Sequence, residues 1–194
     1  MEISSFEDFL PYINPNEVRI LNVNNNQLKS LKGLNLLPNL DIIDAYDNQL
    51  EYLAIDEKNS TITSIGVGNL SDHGNTIKDT DSLKELINLE SVDARNNHII
   101  GDMDFISHLK HLKRLNLSGN KIDEITGLDQ AIGLTSLNLS YNNIAKIYNL
   151  EQNCKLIELN ISNNPITEIQ GLFNLEILEF LDLDKCRINK IQNL

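Results

Sequence analysis

The stretch Leu112–Gly133 reads LKRLNLSGNKIDEITGLDQAIG. Apolar residues fall at Leu112, Leu115, Leu117, Ile122, Ile125, Leu128 and Ala131, with Asn120 between the two halves. The same pattern restarts every 22 residues, at Leu134, Leu156 and Leu178. The first half alternates apolar and polar residues, the signature of a short strand. The second half places an apolar residue at every third position, which suits a compact return segment. A fixed period of this length marks coils that bury their apolar faces only by stacking on one another.

Earlier coils follow from the same register. Coil one runs from Val18 through Leu21, Val23, Asn26, Leu28, Leu31, Leu34 and Leu37. Coil two starts at Leu40 and shows Ile43, Ala45, Asn48, Leu50 and Leu53 before the pattern fades over AIDEKNST. Coil three starts near Ile62, and its turn is swollen within GNLSDHG, so that Asn75 is the best match to the turn asparagine. Coil four starts at Leu89 and slips by one residue near Gly101 to Asp104. Coil eight starts at Leu178 and runs to Leu194, partway through its return segment. The chain therefore reads as a cap over residues 1–17 and a repeat domain over 18–194, with seven full coils and one incomplete. Within the cap, residues 4–13 predict a short helix, with Ser4 and Glu7 as its capping pair. KDTDSLKELIN and DMDFISHLKHL predict one or two helical turns on the return side.

The expected fold is α/β: a right-handed solenoid with a parallel sheet on its concave face and 3₁₀ or turn segments on the convex face. In each strand the first, fourth and sixth positions point into the core. The turn asparagine is polar but sits at a buried corner, where its amide can satisfy backbone groups of neighbouring coils. Stacking predicts a ladder of Asn26, Asn48, Asn75, Asn97, Asn120, Asn142 and Asn164, with Cys186 in the last rung. The third, fifth and seventh positions face solvent. Three patches result. Ile20, Ile42, Asp44 and Tyr46, with Asp47, make an apolar and acidic one. Arg95 and Arg114 make a basic spot beside Asp93. Phe180 with Glu158, Asp182 and Asp184 makes a second aromatic and acidic one. Aromatic and Arg side chains in solvent-facing positions are the usual anchors of an interface.

A formal net charge of -12 argues against binding a nucleic-acid backbone and favours basic partner surfaces. The longest apolar runs are too short to span a membrane. Only Cys154 and Cys186 are present, and MEISSFEDFL has no basic start or apolar core of a signal peptide, so a reducing cytosolic or nuclear compartment is the expectation. Asn-x-Ser/Thr sequons at Asn59, Asn69, Asn116, Asn138 and Asn160 include three that arise from the repeat spelling itself. His73, His98, His108 and His111 have no ligand set around them at metal spacing. No phosphate-binding loop, nucleophile elbow or dinucleotide fingerprint occurs. Neither a cofactor, a metal nor an enzymatic activity is expected.

The coils, and the segment NLEQNCKLIELNISNNPITEIQGLFNLEILEFLDL over residues 149–183 above all, resemble the short leucine-rich repeats typified by the nuclear regulatory subunit of protein phosphatase 1. Internalins share the class, as do the axonemal dynein light chain with such repeats and the A-prime spliceosomal protein. The resemblance implies a non-catalytic scaffold that binds a protein on its concave face. In the phosphatase regulator acidic and aromatic residues there grip the catalytic subunit. Asp44, Tyr46, Asp93, Glu158, Phe180, Asp182 and Asp184 are of that chemical kind. Three further readings stand beside the scaffold: a phosphatase regulatory subunit, a pathogen effector binding a host protein, and an assembly subunit that self-associates. The last would use an apolar C-terminal edge formed by Leu181, Leu183, Ile188 and Ile191.

Overall fold

The structure is a computed structural model that describes residues 10–55, 61–71 and 74–191. Each coil lays down one three-residue strand. Those strands are β1 (Ile20–Asn22), β2 (Ile42–Asp44), β3 (Ser64–Gly66), β4 (Ser91–Asp93), β6 (Arg114–Asn116), β8 (Ser136–Asn138), β9 (Glu158–Asn160) and β11 (Phe180–Asp182). They form one parallel sheet in chain order. On the return side β5 (Ile100–Gly101) pairs with β7 (Lys121–Ile122), and β10 (Glu168–Ile169) with β12 (Lys190–Ile191). The register advances one coil at a time, so that Ile43, Ile65, Val92, Leu115, Leu137 and Leu159 stack as a single column.

That column is sealed from solvent, and so are the flanking positions of each coil: Leu112, Leu115 and Leu117, then Leu134, Leu137 and Leu139, then Leu156, Leu159 and Ile161. A fully buried Leu contributes roughly 1.5–3 kcal/mol over an exposed one. The return side adds Ile122, Ile125, Leu128 and Ala131 and their equivalents. The core is thus one cylinder, thin in section and as long as the stack.

Two corners recur along the stack. The first comes just before the ladder residue, where the backbone turns left-handed at Asn25, Asp47, Asn96, Gly119, Tyr141, Asn163 and Lys185. Asn, Asp and Gly tolerate that conformation best, and Tyr141 and Lys185 adopt it at a steric cost. The second corner uses Gly33, Gly127 and Gly171, all with positive φ. At Gly127 a Cβ would lie 2.7 Å from the Met103 carbonyl oxygen, so the corner needs both the backbone conformation and the missing side chain.

The stretches expected to manage a helical turn do so as 3₁₀ segments, Asp81–Glu85 and Asp104–Ile106, and a third occurs at Leu34–Leu36. With about 22 residues per coil the return path is too short for a longer helix. Of the expected capping helix, Ser4 and Glu7 lie outside the described residues. Leu10–Tyr12 form a 3₁₀ turn, and Leu10, Ile13 and Val18 pack on the first coil. Beyond Leu175 the described apolar residues are half-covered or exposed: Leu181 is 38% and Ile191 62% accessible.

Candidate functional site: the ladder and the sheet face

The turn asparagines carry a repeated bond set. The Asn120 Nδ2 donates to the carbonyls of Ala94 at 3.1 Å in the preceding coil, and of Leu117 at 3.0 Å and Ser118 at 3.3 Å in its own. Its Oδ1 accepts the Ile99 N–H of the preceding coil at 3.0 Å. Asn48, Asn75, Asn97, Asn142 and Asn164 repeat both halves of this pattern. Asn26 donates to Val23 and Asn24 carbonyls of its own coil. In the last rung the Cys186 thiol donates to the Ile161 carbonyl at 3.5 Å. Burial pushes this thiol's pKa up. A backbone N–H of Asn164 pulls the other way, while Asp182 and Asp184 add to the rise. Such a thiol is the opposite of an activated nucleophile.

The swollen turn of coil three is held by Asn69, Asn96 and Asp47. Asn69, only 5% accessible, accepts the Asn75 N–H at 2.6 Å and donates to the Asn75 carbonyl at 2.7 Å. Asn96 Nδ2 donates to the Asn69 carbonyl at 3.0 Å. Asp47 is no part of an exposed acidic patch, contrary to expectation. It is buried at 8% accessibility, and its Oδ1 accepts the N–H groups of Leu70 and Ser71 and the Ser71 hydroxyl. An extra loop leaves backbone donors without a ladder partner, and a carboxylate one turn away satisfies them.

Along the sheet face the third-position row runs Ile20, Ile42, Ser64, Ser91, Arg114, Ser136, Glu158, Phe180 in unbroken register. Ile20 is 65% and Phe180 51% accessible, and Arg114 and Glu158 are exposed. In coils five to seven the fifth and seventh positions tie each other down. Asn116, Asn138 and Asn160 each accept the N–H and hydroxyl of the Ser two residues on. Asp182 likewise accepts the Asp184 N–H, and Asp184 stays exposed.

The tertiary structure redraws two of the three patches. Coil three carries Gly66 and Gly68 where other coils carry side chains. The Tyr46 ring leans from coil two over Gly66, so close that a Cβ there would lie 2.4 Å from Tyr46 Cε2. Arg95 leans from coil four over Gly68, where a Cβ would lie 2.8 Å from its Cγ. The two side chains meet, with the guanidinium carbon 6.0 Å from the ring centroid. Arg95 Nε lies 3.1 and 3.0 Å from the Asp93 oxygens, and its Nη2 also bonds Asp93. Arg95 and Arg114 are therefore not a free basic pair, and Tyr46 is half-buried rather than solvent-facing. The signal was present in the sequence, as two glycines in adjacent solvent rows of one coil.

Burial is the main reason the Tyr46 phenol is pushed up to about 12, with Asp93 and Asp44 adding to the rise and Arg95 opposing it. Burial holds the neutral form, so this group's contribution to stability is complete below the ordinary value of 10 and is lost as pH rises to about 12. An NMR pH titration of the Tyr46 ring should give a midpoint near the upper figure, and Asp93→Asn should bring it down. A midpoint at the ordinary value would contradict the packing of the ring on Gly66.

Among the described residues the histidines form no cluster. His73 lies outside the described residues, His98 and His111 are exposed, and His108 has its Nε2 buried without a hydrogen bond. Among the described residues no group of three His, Cys, Asp or Glu is placed to hold a metal ion, and no helix is long and apolar enough to cross a membrane.

A parallel solenoid whose buried rows are leucine and asparagine, and whose sheet face is open, defines a class of repeat scaffold. A family model for leucine rich repeats, two copies, matches residues 87–130 and 132–174, the most regular coils. The fold is similar to that of an internalin (inlF) from Listeria monocytogenes, with a TM-score of 0.84 at 23% identity over 98% of this chain and 58% of that one. An internalin C2 from the same organism gives 0.79 at 24% identity over 88% of this chain and 73% of that one. A leucine-rich repeat protein of Leptospira interrogans gives 0.73 at 27% identity over 91% and 44%. Among curated proteins, Receptor like protein 21 of Arabidopsis thaliana is 39% identical over 93 residues, which is 48% of this chain and 9% of that protein. Residues 87–130 and 132–174 are thus leucine-rich repeats, and the chain has the solenoid fold of the short-repeat class.

Proposed function

We propose that this protein is a non-catalytic scaffold that binds a partner protein on its sheet face. Leucine-rich repeat proteins are in general protein-interaction scaffolds. The observation that carries the reading for this chain is the third-position row, which presents Ile20 and Phe180 to solvent at opposite ends of one continuous surface with Arg114 and Glu158 between them. Single exposed apolar residues are ordinary. Here they share one rigid sheet with carboxylates, the composition of an anchor and its polar surround. The net charge of -12 favours a basic partner.

The test is affinity capture from lysate of the source cells, read by mass spectrometry. Wild type is compared with Ile20→Asp, Arg114→Glu, Phe180→Ala, three exposed positions whose change leaves the core alone. Partners held through the sheet face should fall by roughly tenfold or more, the effect of losing anchors worth about 2 kcal/mol. Ile132→Asp, at an exposed return-side position, should capture the wild-type set. If the triple variant captures that set too, the sheet face is not the binding surface.

A further inference from the structure

The cluster over coil three is charge-balanced on one side only. Asp44 and Asp93 flank Gly66 in register on either neighbouring strand, roughly 9–10 Å apart at two strand spacings. Asp93 is neutralised by Arg95 and is well covered, its side chain 16% accessible. The Asp44 carboxylate is half-buried, and among the described residues it accepts no hydrogen bond and joins no ion pair. The Tyr46 ring stands between the two, already faced by its own Arg95. Beside Asp44 on the same strand is Ile42, and Ile20 lies directly opposite Ile42 on β1. The surface therefore offers an apolar track two residues long that ends at an unpaired carboxylate against an aromatic edge.

We infer that this corner of the sheet face receives a basic side chain of the protein partner, its aliphatic stem along Ile20 and Ile42 and its cation on Asp44 beside Tyr46. This rests on the reading of the sheet face as the binding surface and names the chemistry it selects. Lys and Arg have the required form, an apolar stem with a charged tip. A neutral or acidic side chain would leave the carboxylate unpaired next to Asp93. Burial and then Asp93 raise the pKa of Asp44, so the free protein holds this charge at a cost that an incoming cation relieves. The Arg95–Asp93 pair and the Tyr46 ring are packed in place before any partner arrives, which lowers the ordering cost of binding.

The slot is tested with small probes. N-acetyl-arginine amide and N-acetyl-lysine amide are titrated into the labelled protein and followed by amide NMR, against the neutral isosteres N-acetyl-citrulline amide and N-acetyl-norleucine amide. The basic probes should shift Ile42, Asp44 and Tyr46 resonances saturably in the millimolar range. Asp44→Asn, whose spectrum elsewhere should match wild type, should weaken that response roughly fivefold or more, and Phe180→Ala should leave it intact. Equal responses to the neutral isosteres, or an unchanged response in Asp44→Asn, would overturn the cation slot. That failure is separate from failure of the sheet face, because the capture experiment also turns on Arg114 and Phe180, which lie outside the slot.

Discussion

Leu137→Ala should lower the stability of the protein by about 2–5 kcal/mol. Leu137 is 1% accessible and sits in the central column between Leu115 and Leu159. Truncating it leaves a void that neither neighbouring coil can close, because both are held in register by the sheet on one side and the ladder on the other. A solenoid has no contacts beyond adjacent coils to share the loss. Urea denaturation followed by circular dichroism should show a markedly lower midpoint. A drop of under about 1 kcal/mol would mean that the coils are not packed as a continuous core.

Asn120→Ala should cost about 1–3 kcal/mol, the penalty for leaving buried backbone groups unpaired. The change removes three carbonyl contacts of the side-chain amide and the acceptor for the Ile99 N–H, two of these four bonds belonging to the preceding coil. The effect is therefore on the junction between coils four and five as much as on coil five itself. The same denaturation experiment reads it, and a midpoint unchanged from wild type would remove the ladder from the account of stability.

These two residues belong to rows that hold the coils together; the sheet face belongs to rows that do not. Its side chains are set by position rather than by packing, except over coil three, where Gly66 and Gly68 let Tyr46 and Arg95 pack on the backbone. A surface that is already rigid at one point loses less entropy in any association there. The loop after Gly68, pinned by Asn69 and Asp47, lies next in the chain to this rigid point.

The register of Leu112, Leu134, Leu156 and Leu178 was enough to establish the solenoid, its parallel strands and the core columns, because a repeat of constant length leaves each core position one environment; the outward rows follow less closely, since the seventh-position Ser140 and Ser162, expected in solvent, are buried. Cys186 at the ladder position was legible for the same reason. Contacts between side chains of different coils within the outward rows were not legible, since a periodic pattern says which row a residue joins but not how far it leans. The pattern places Tyr46 and Arg95 in separate patches, yet they meet over two glycines. The pattern sends Asp47 to solvent, yet it is taken up by three donors of the swollen turn. Both departures sit at coil three, where the period is broken most. An inserted loop leaves backbone groups to satisfy, and two missing side chains leave a surface to cover, and only the folded neighbours on either side decide which residues do so.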